Sequence, residues 1–135
     1  MLRANFNTHK EDKEDKTSPV EDYLENLPNK IEARFLNCFE HLVINQGVGV
    51  IDGVIFKKLH SYPFEEIRVK ESKKLHRIVI QIRVKDTIIV LHGFTKQEGM
   101  NEKAHKKLLD RELKEAQRRY ERLVSATSEE DYLIG

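Results

Sequence analysis

The sequence predicts an α+β domain in which helices pack on one face of a small antiparallel sheet, with the element order β-α-α-β-β-β-α. Three observations carry this reading. After Pro63, three consecutive segments either alternate apolar and polar residues or are apolar throughout, as strands do. The short stretches Glu71-Ser72-Lys73-Lys74 and Lys85-Asp86 join them as hairpins, which makes neighbours antiparallel. Flanking them are segments whose apolar residues recur every three or four positions, as along one face of a helix.

The elements follow in order. Leu2, Ala4 and Phe6 alternate with Arg3 and Asn5, the pattern of a short edge strand. The tract His9–Lys16 has no apolar residue to bury and reads as a loop. Ser18-Pro19 marks a helix start. Serine caps free amide groups, proline suits the first helical position, and Glu21 stands three residues after the cap, where it completes a capping box. Val20, Tyr23, Leu24 and Leu27 share one face of this helix, and Pro28 ends it. A second helix over 28–45 carries the stripe Ile31, Phe35, Cys38, Phe39 and Leu42, with Gly47 as its terminator. Cys38 lies in that stripe and reads as a buried, inert thiol. Residues 46–63, with Gly47, Gly49, Gly53 and Pro63, read as loop-rich.

The strands are expected over 64–70, 76–84 and 87–94. The first sets Ile67 and Val69 against Glu66, Arg68 and Lys70. The second sets Ile78, Ile80, Ile82 and Val84 against Arg77, Val79, Gln81 and Arg83. The third is apolar on both faces, as a central strand is. A long helix over 101–124 carries the seam Leu109, Leu113, Ala116, Tyr120 and Leu123. Residues 1–124 are thus expected to form one domain with a charged loop at 9–16, followed by an acidic, flexible tail over 125–135.

Composition narrows the function. The chain has 135 residues, 35% of them charged, and a mean hydropathy of −0.62. It holds no apolar run long enough for a membrane span. Its one cysteine excludes a disulfide scaffold. With no signal-peptide pattern at the N-terminus, the expected compartment is the cytoplasm. There is no phosphate-binding glycine loop, no Gly-x-Ser-x-Gly elbow and no paired histidine or cysteine ligand motif, so neither a metal nor a cofactor is expected. The net charge of +1 hides a division: residues 51–124 carry +7 and the remainder −6. A basic half suits a polyanion surface, although the charge alone equally fits a solvated strand-and-helix surface.

Strand alternation sharpens the choice. With Ile67, Val69, Ile78, Ile80 and Ile82 on the helix-covered face, Arg68 and Arg77 must project from the other, free face. If Ile89 and Leu91 join the core, His92 points out beside the arginines, and Lys96 lies on the same rim. Guanidinium donates two parallel hydrogen bonds to phosphate, ammonium supplies a point charge, and imidazole moves a proton near neutral pH. Taken singly, these residues have structural readings. Arg68 could pair with Glu66, Arg77 with a cross-strand acid, and His92 with the backbone.

The series Lys16-Thr17-Ser18-Pro19-Val20-Glu21-Asp22-Tyr23-Leu24, Leu27-Pro28, Lys57-Lys58-Leu59, Glu66-Ile67-Arg68, His76-Arg77-Ile78 and Leu91-His92-Gly93-Phe94-Thr95-Lys96 resembles the phage-derived branch of RelE/HigB-like toxins, over residues 17–124 and in the same order. The resemblance implies the toxin of a type II toxin–antitoxin pair, a metal-independent mRNA endonuclease that inhibits translation and in many members acts on the ribosome. In that chemistry the message's own 2′-hydroxyl attacks the adjacent phosphorus and leaves a 2′,3′-cyclic phosphate. Arg68, Arg77, His92 and Lys96 occupy the matching catalytic positions, with His92 as the candidate proton carrier. Lys57, Lys58 and Lys74 are the expected RNA contacts. The implied partners are mRNA, the ribosome and a cognate antitoxin, commonly a helix-turn-helix protein that alone carries operator DNA binding; no membrane partner is implied. The chain departs from the family pattern where Val79, Ile80 and Gln81 replace an aromatic pair and where Gln97 replaces a second lysine. The alternative reading is a non-catalytic nucleic-acid- or partner-binding module that keeps the toxin fold.

Overall fold

The computed structural model describes residues 5–9, 18–45, 54–59, 61–83, 87–125 and 133–134. In chain order these form β1 (Asn5–His9), α1 (Pro19–Glu25), α2 (Asn29–Asn45), β2 (Val54–Lys58), β3 (Glu65–Glu71), β4 (Lys74–Arg83), β5 (Thr87–Gln97), α3 (Glu102–Ser125) and β6 (Leu133–Ile134). The sheet order is β2-β3-β4-β5-β1-β6. Strands β2 to β5 form an antiparallel meander. Strand β1 joins β5 in parallel, and β6 pairs antiparallel with β1. The α+β class and the order of helices and central strands agree with the sequence reading.

Local chemistry explains the elements. The Ser18 hydroxyl accepts hydrogen bonds from the amides of Val20 and Glu21, at 3.2 and 3.4 Å, and caps α1. The predicted stripe of α2 is buried, and Cys38 within it is fully enclosed. Burial pushes the Cys38 thiol up to about 11, so it is inert as a nucleophile. The β3–β4 hairpin closes through Ser72, whose φ of 47° is left-handed.

Three features differ from the sequence reading. First, helices cover both faces of the sheet. Helices α1 and α2 pack on Ile67, Val69, Ile78, Ile80, Ile88 and Val90. Helix α3 packs on the opposite face over Phe64, Val79, Ile89, Leu91 and Phe94. Those five side chains need cover of their own, so the second face is open only where they are absent. Second, Val54–Lys58 is a strand rather than loop. Val54 and Phe56 pack against the α1/α2 core while Ile55 between them is 56% exposed. Third, β1 lies at Asn5–His9 between β5 and β6, so it is not an edge, and Leu133–Ile134 of the predicted flexible tail form a strand against Thr8 and His9. The expectations for Leu2 to Ala4, Lys10–Lys16, Gly47, Lys85-Asp86 and residues 126–132 lie outside the described residues.

Helix α1 is pinned to β5 by a polar chain. The Tyr23 hydroxyl donates to the Phe94 carbonyl at 2.9 Å and meets the Thr95 hydroxyl at 2.8 Å. Thr95 in turn bonds His76 Nδ1 at 2.8 Å, and His76 Nε2 bonds Glu71 at 2.8 Å. The Tyr23 ring lies flat against Gly93, where an added Cβ would stand 2.7 Å from Cε2 and 2.9 Å from Cγ. Since the hydrogen bonds fix the ring, Gly93→Ala is expected to destabilise the fold by about 1–3 kcal/mol, read as a lowered midpoint in chemical denaturation.

Candidate functional site

The site is built on the sheet face that carries α3. In β3 and β4, Arg68 and Arg77 are direct cross-strand partners, so their side chains project from the same face. A β-bulge in β5 sets the rest. Val79 pairs with His92 and Ile80 with Val90, which leaves Leu91 as the extra residue. The extra residue shifts the alternation. Ile88 and Val90 fall on the α1/α2 face. Ile89, Leu91, His92, Phe94 and Lys96 fall on the same face as the two arginines. Ile89 and Leu91 therefore belong to the α3 core, not the core the sequence reading gave them.

Electrostatics centres on Glu66, a fully buried carboxylate on β3. Its Oε1 accepts from Arg68 Nε and from Arg77 Nη1, the latter at 3.4 Å. Both structural pairings considered for the arginines thus occur, on one acid. The two guanidiniums differ in access. The Arg68 side chain is 21% exposed, whereas Arg77 is 3% exposed, with its guanidinium carbon 5.9 Å from the Phe94 ring centroid. Burial is the largest influence on Arg77 and draws its pKa below the ordinary arginine range; Glu66 opposes this and Arg68 adds to it. Two buried polar atoms here have no hydrogen-bond partner, Glu66 Oε2 and Arg77 Nε. Lys96 is half-buried on the same face. Lys57, opposite Glu66 in the β2–β3 register, is exposed beside it.

The other predicted residues are placed differently. Lys58 alternates to the α1/α2 side of β2. Lys74 opens β4 at the hairpin, where Lys70, Lys73, Lys74 and Lys96 line a hollow of about 200 Å³. His92 shares the arginine face but lies beneath α3, 7% exposed. Its Nδ1 accepts from Arg119 Nη1 at 2.9 Å, and its Nε2 donates to Glu112 Oε2. Arg119 Nη1 also donates to the carbonyl of Leu91, the bulge residue, at 3.0 Å. Burial pushes the His92 pKa below the usual histidine value; the hydrogen bond it donates to Glu112 opposes this and Arg119 reinforces it. His92 is thus a neutral imidazole with both nitrogens engaged.

One residue of the neighbourhood was not singled out from the sequence. His105, in the first turns of α3, is half-buried, and its Nε2 is enclosed without a hydrogen-bond partner. The charges of Lys96, Arg77, Arg68 and Glu66 all act on it. A signal existed, because His105 extends the seam of Leu109 and Leu113 by one turn and so must face the sheet. Among the described residues, no group of three or more histidine, cysteine or acidic side chains converges to hold a metal, and no helix is long and apolar enough to cross a membrane.

This face carries two guanidiniums, one ammonium and one imidazole, with the exposed Ile55 and Lys57 on the neighbouring edge strand β2. A family model described as phage-derived Gp49-like proteins (DUF891) matches residues 22–121. No curated protein matches the chain.

The His92 environment has a measurable consequence. Its folded-state pKa lies below the unfolded value of 6.5, so the unfolded chain binds more protons as pH falls. Its contribution to stability is complete above pH 6.5 and is lost as pH falls below it. The urea midpoint should therefore drop between pH 7 and pH 5, and His92→Gln should make that drop smaller.

Proposed function

The chain belongs to the Gp49-like family of phage-derived proteins, a family associated with the toxins of toxin–antitoxin systems, and we propose that it is a metal-independent endoribonuclease that cuts messenger RNA and so inhibits translation. The observation that carries this reading is the cross-strand pair Arg68 and Arg77, held on one sheet face with Lys96 beside them.

The proposed chemistry is the one implied by the RelE/HigB-like resemblance. The 2′-hydroxyl of the message attacks its own 3′-phosphorus, the P–O5′ bond breaks, and a 2′,3′-cyclic phosphate remains. The protein's task is to align the 2′-oxygen with the leaving 5′-oxygen and to neutralise the phosphorane charge. Arg68, with its partly exposed guanidinium, makes the first contact with a non-bridging phosphate oxygen. Arg77 lies deeper and supplies fixed positive charge in a low-dielectric setting, where it acts more strongly than in water. Lys96 adds a point charge at the rim. Lys57 and Ile55 extend the surface along β2 for neighbouring nucleotides, and the hollow lined by Lys74 takes a flanking phosphate. His92 holds α3 over the bulge and so positions Phe94 and Lys96, a role that suits a neutral imidazole with both nitrogens bonded.

Such an enzyme needs restraint, and the family association implies an antitoxin partner. We take the antitoxin to be a small helix-turn-helix protein. It would neutralise the cationic face and carry operator DNA binding for the complex.

Induced expression is expected to arrest growth and to generate new message ends bearing 2′,3′-cyclic phosphates. Arg68→Ala and Lys96→Ala should each lower cleavage by about 10²–10³-fold, the loss typical of one charge-stabilising donor. Arg77→Ala should do the same or more. RNA-end mapping after induction checks all three. RNA bound but left uncut at every position would instead favour the binding-module reading.

A further inference from the structure

The ribonuclease proposed above lacks a proton acceptor, because His92 has both nitrogens engaged beneath α3. We propose that His105, in the first turns of α3, is the catalytic general base that takes the proton from the attacking 2′-hydroxyl through Nε2. This inference rests on the ribonuclease reading and names the proton-transfer group of that same site.

Geometry carries it. His105 continues the sheet-facing seam of α3 one turn past Leu109, and Lys96, Arg77 and Arg68 lie near enough for their charges to act on its ring. Its Nε2 is enclosed by the protein and unpartnered. Buried polar atoms are normally satisfied, so an orphaned ring nitrogen calls for a ligand. It is one of three orphans in one neighbourhood, with Arg77 Nε and Glu66 Oε2. A phosphodiester with its adjacent 2′-hydroxyl supplies what two of them need: an oxygen acceptor for Arg77 Nε and an O–H donor for His105 Nε2.

The charges around the ring set its protonation. Lys96 on β5, Arg77 on β4 and Arg68 on β3 face it as cations, and Glu66 on β3 as an anion, while Glu102 lies one turn before it on α3. Burial is the largest influence and lowers the pKa from 6.5, the three cations lower it further, and Glu66 opposes them. The imidazole is therefore neutral at pH 7, the form a general base needs. In the step itself, O2′ passes its proton to Nε2 and forms the bond to phosphorus. The P–O5′ bond breaks, O5′ takes a proton from water, and the imidazolium later returns its own proton to solvent. No proton is gained or lost overall, and no oxidant or metal is consumed.

The test is cleavage of ribosome-bound message by the full-length chain between pH 5 and pH 8. Wild type should show kcat/KM rising with pH along a limb whose midpoint lies below 6.5, then a plateau. His105→Gln should abolish that limb and lower kcat about 10²–10⁴-fold, with KM little changed. His105→Ala should regain activity when free imidazole is added. A His105→Gln protein with an unchanged denaturation midpoint that keeps both kcat and the acidic limb would overturn the assignment while leaving the ribonuclease reading intact. A change in KM alone would also overturn it, because His105 would then be a binding residue. A wild type that cuts no message at any pH would overturn the ribonuclease reading and this inference together.

Discussion

One buried carboxylate organises this molecule. Glu66 lies within the sheet with no exposure, and a charge in such a place costs several kcal/mol unless it is matched. It is matched twice, by Arg68 from two residues along the same strand and by Arg77 from the next strand. The pairing holds both guanidiniums at fixed positions on one face. It also leaves the trio with a net positive charge and with unpartnered polar atoms on both the acid and Arg77. A site arranged this way is short of one anion. Under the proposed function the paired arginines would need little reorganisation when a phosphate binds, which is the condition under which fixed charges stabilise a transition state.

The bulge at Leu91 has the second largest effect. Without the extra residue, His92, Phe94 and Lys96 would share one face with Ile88 and Val90, and a strand that packs those two against α1 and α2 would carry Lys96 away from the arginines. With it, one strand supplies apolar residues to both cores and still delivers a lysine to the cationic face. Arg119 reaches the Leu91 carbonyl and His92 together, so α3 fastens to the sheet at the irregularity itself. The polar chain from Tyr23 through Thr95 and His76 to Glu71 fastens α1 on the opposite side.

Much of this was legible in the sequence, and the remainder failed for identifiable reasons. Ser18-Pro19 located α1 because a cap is a local device. The Ile67/Val69 and Ile78/Ile80 alternation located β3 and β4, and placed Arg68 and Arg77 on one face, because the strand period is fixed. The third strand resisted this treatment. Thr87 to Phe94 is apolar on both sides, and period alone does not reveal where a bulge reverses it. The assignment of Ile89 and Leu91 to the wrong core follows from that. The open face was overestimated because the seam of α3 was read without asking which sheet residues it covers; Val79, Leu91 and Phe94 are the answer. Strand β2 was missed because glycines at 47, 49 and 53 outweighed the short run Val54-Ile55-Phe56. His105 was passed over because a histidine at the polar end of an amphipathic helix looks like surface until the seam is extended through it.

The central claim is that RNA phosphate settles over Arg68 and Arg77 on the face bounded by β2 and the start of α3. The most direct measurement is a residue-resolved NMR titration of the protein with a short RNA whose 2′-hydroxyls are methylated, so that binding occurs without cleavage. The account predicts that signals of Ile55, Arg68, Phe94, Lys96 and His105 move together with RNA concentration, while those of Phe35 and Thr95 on the far face stay in place. Movement centred on the α1/α2 face, with Arg68 and Lys96 unperturbed, would contradict it.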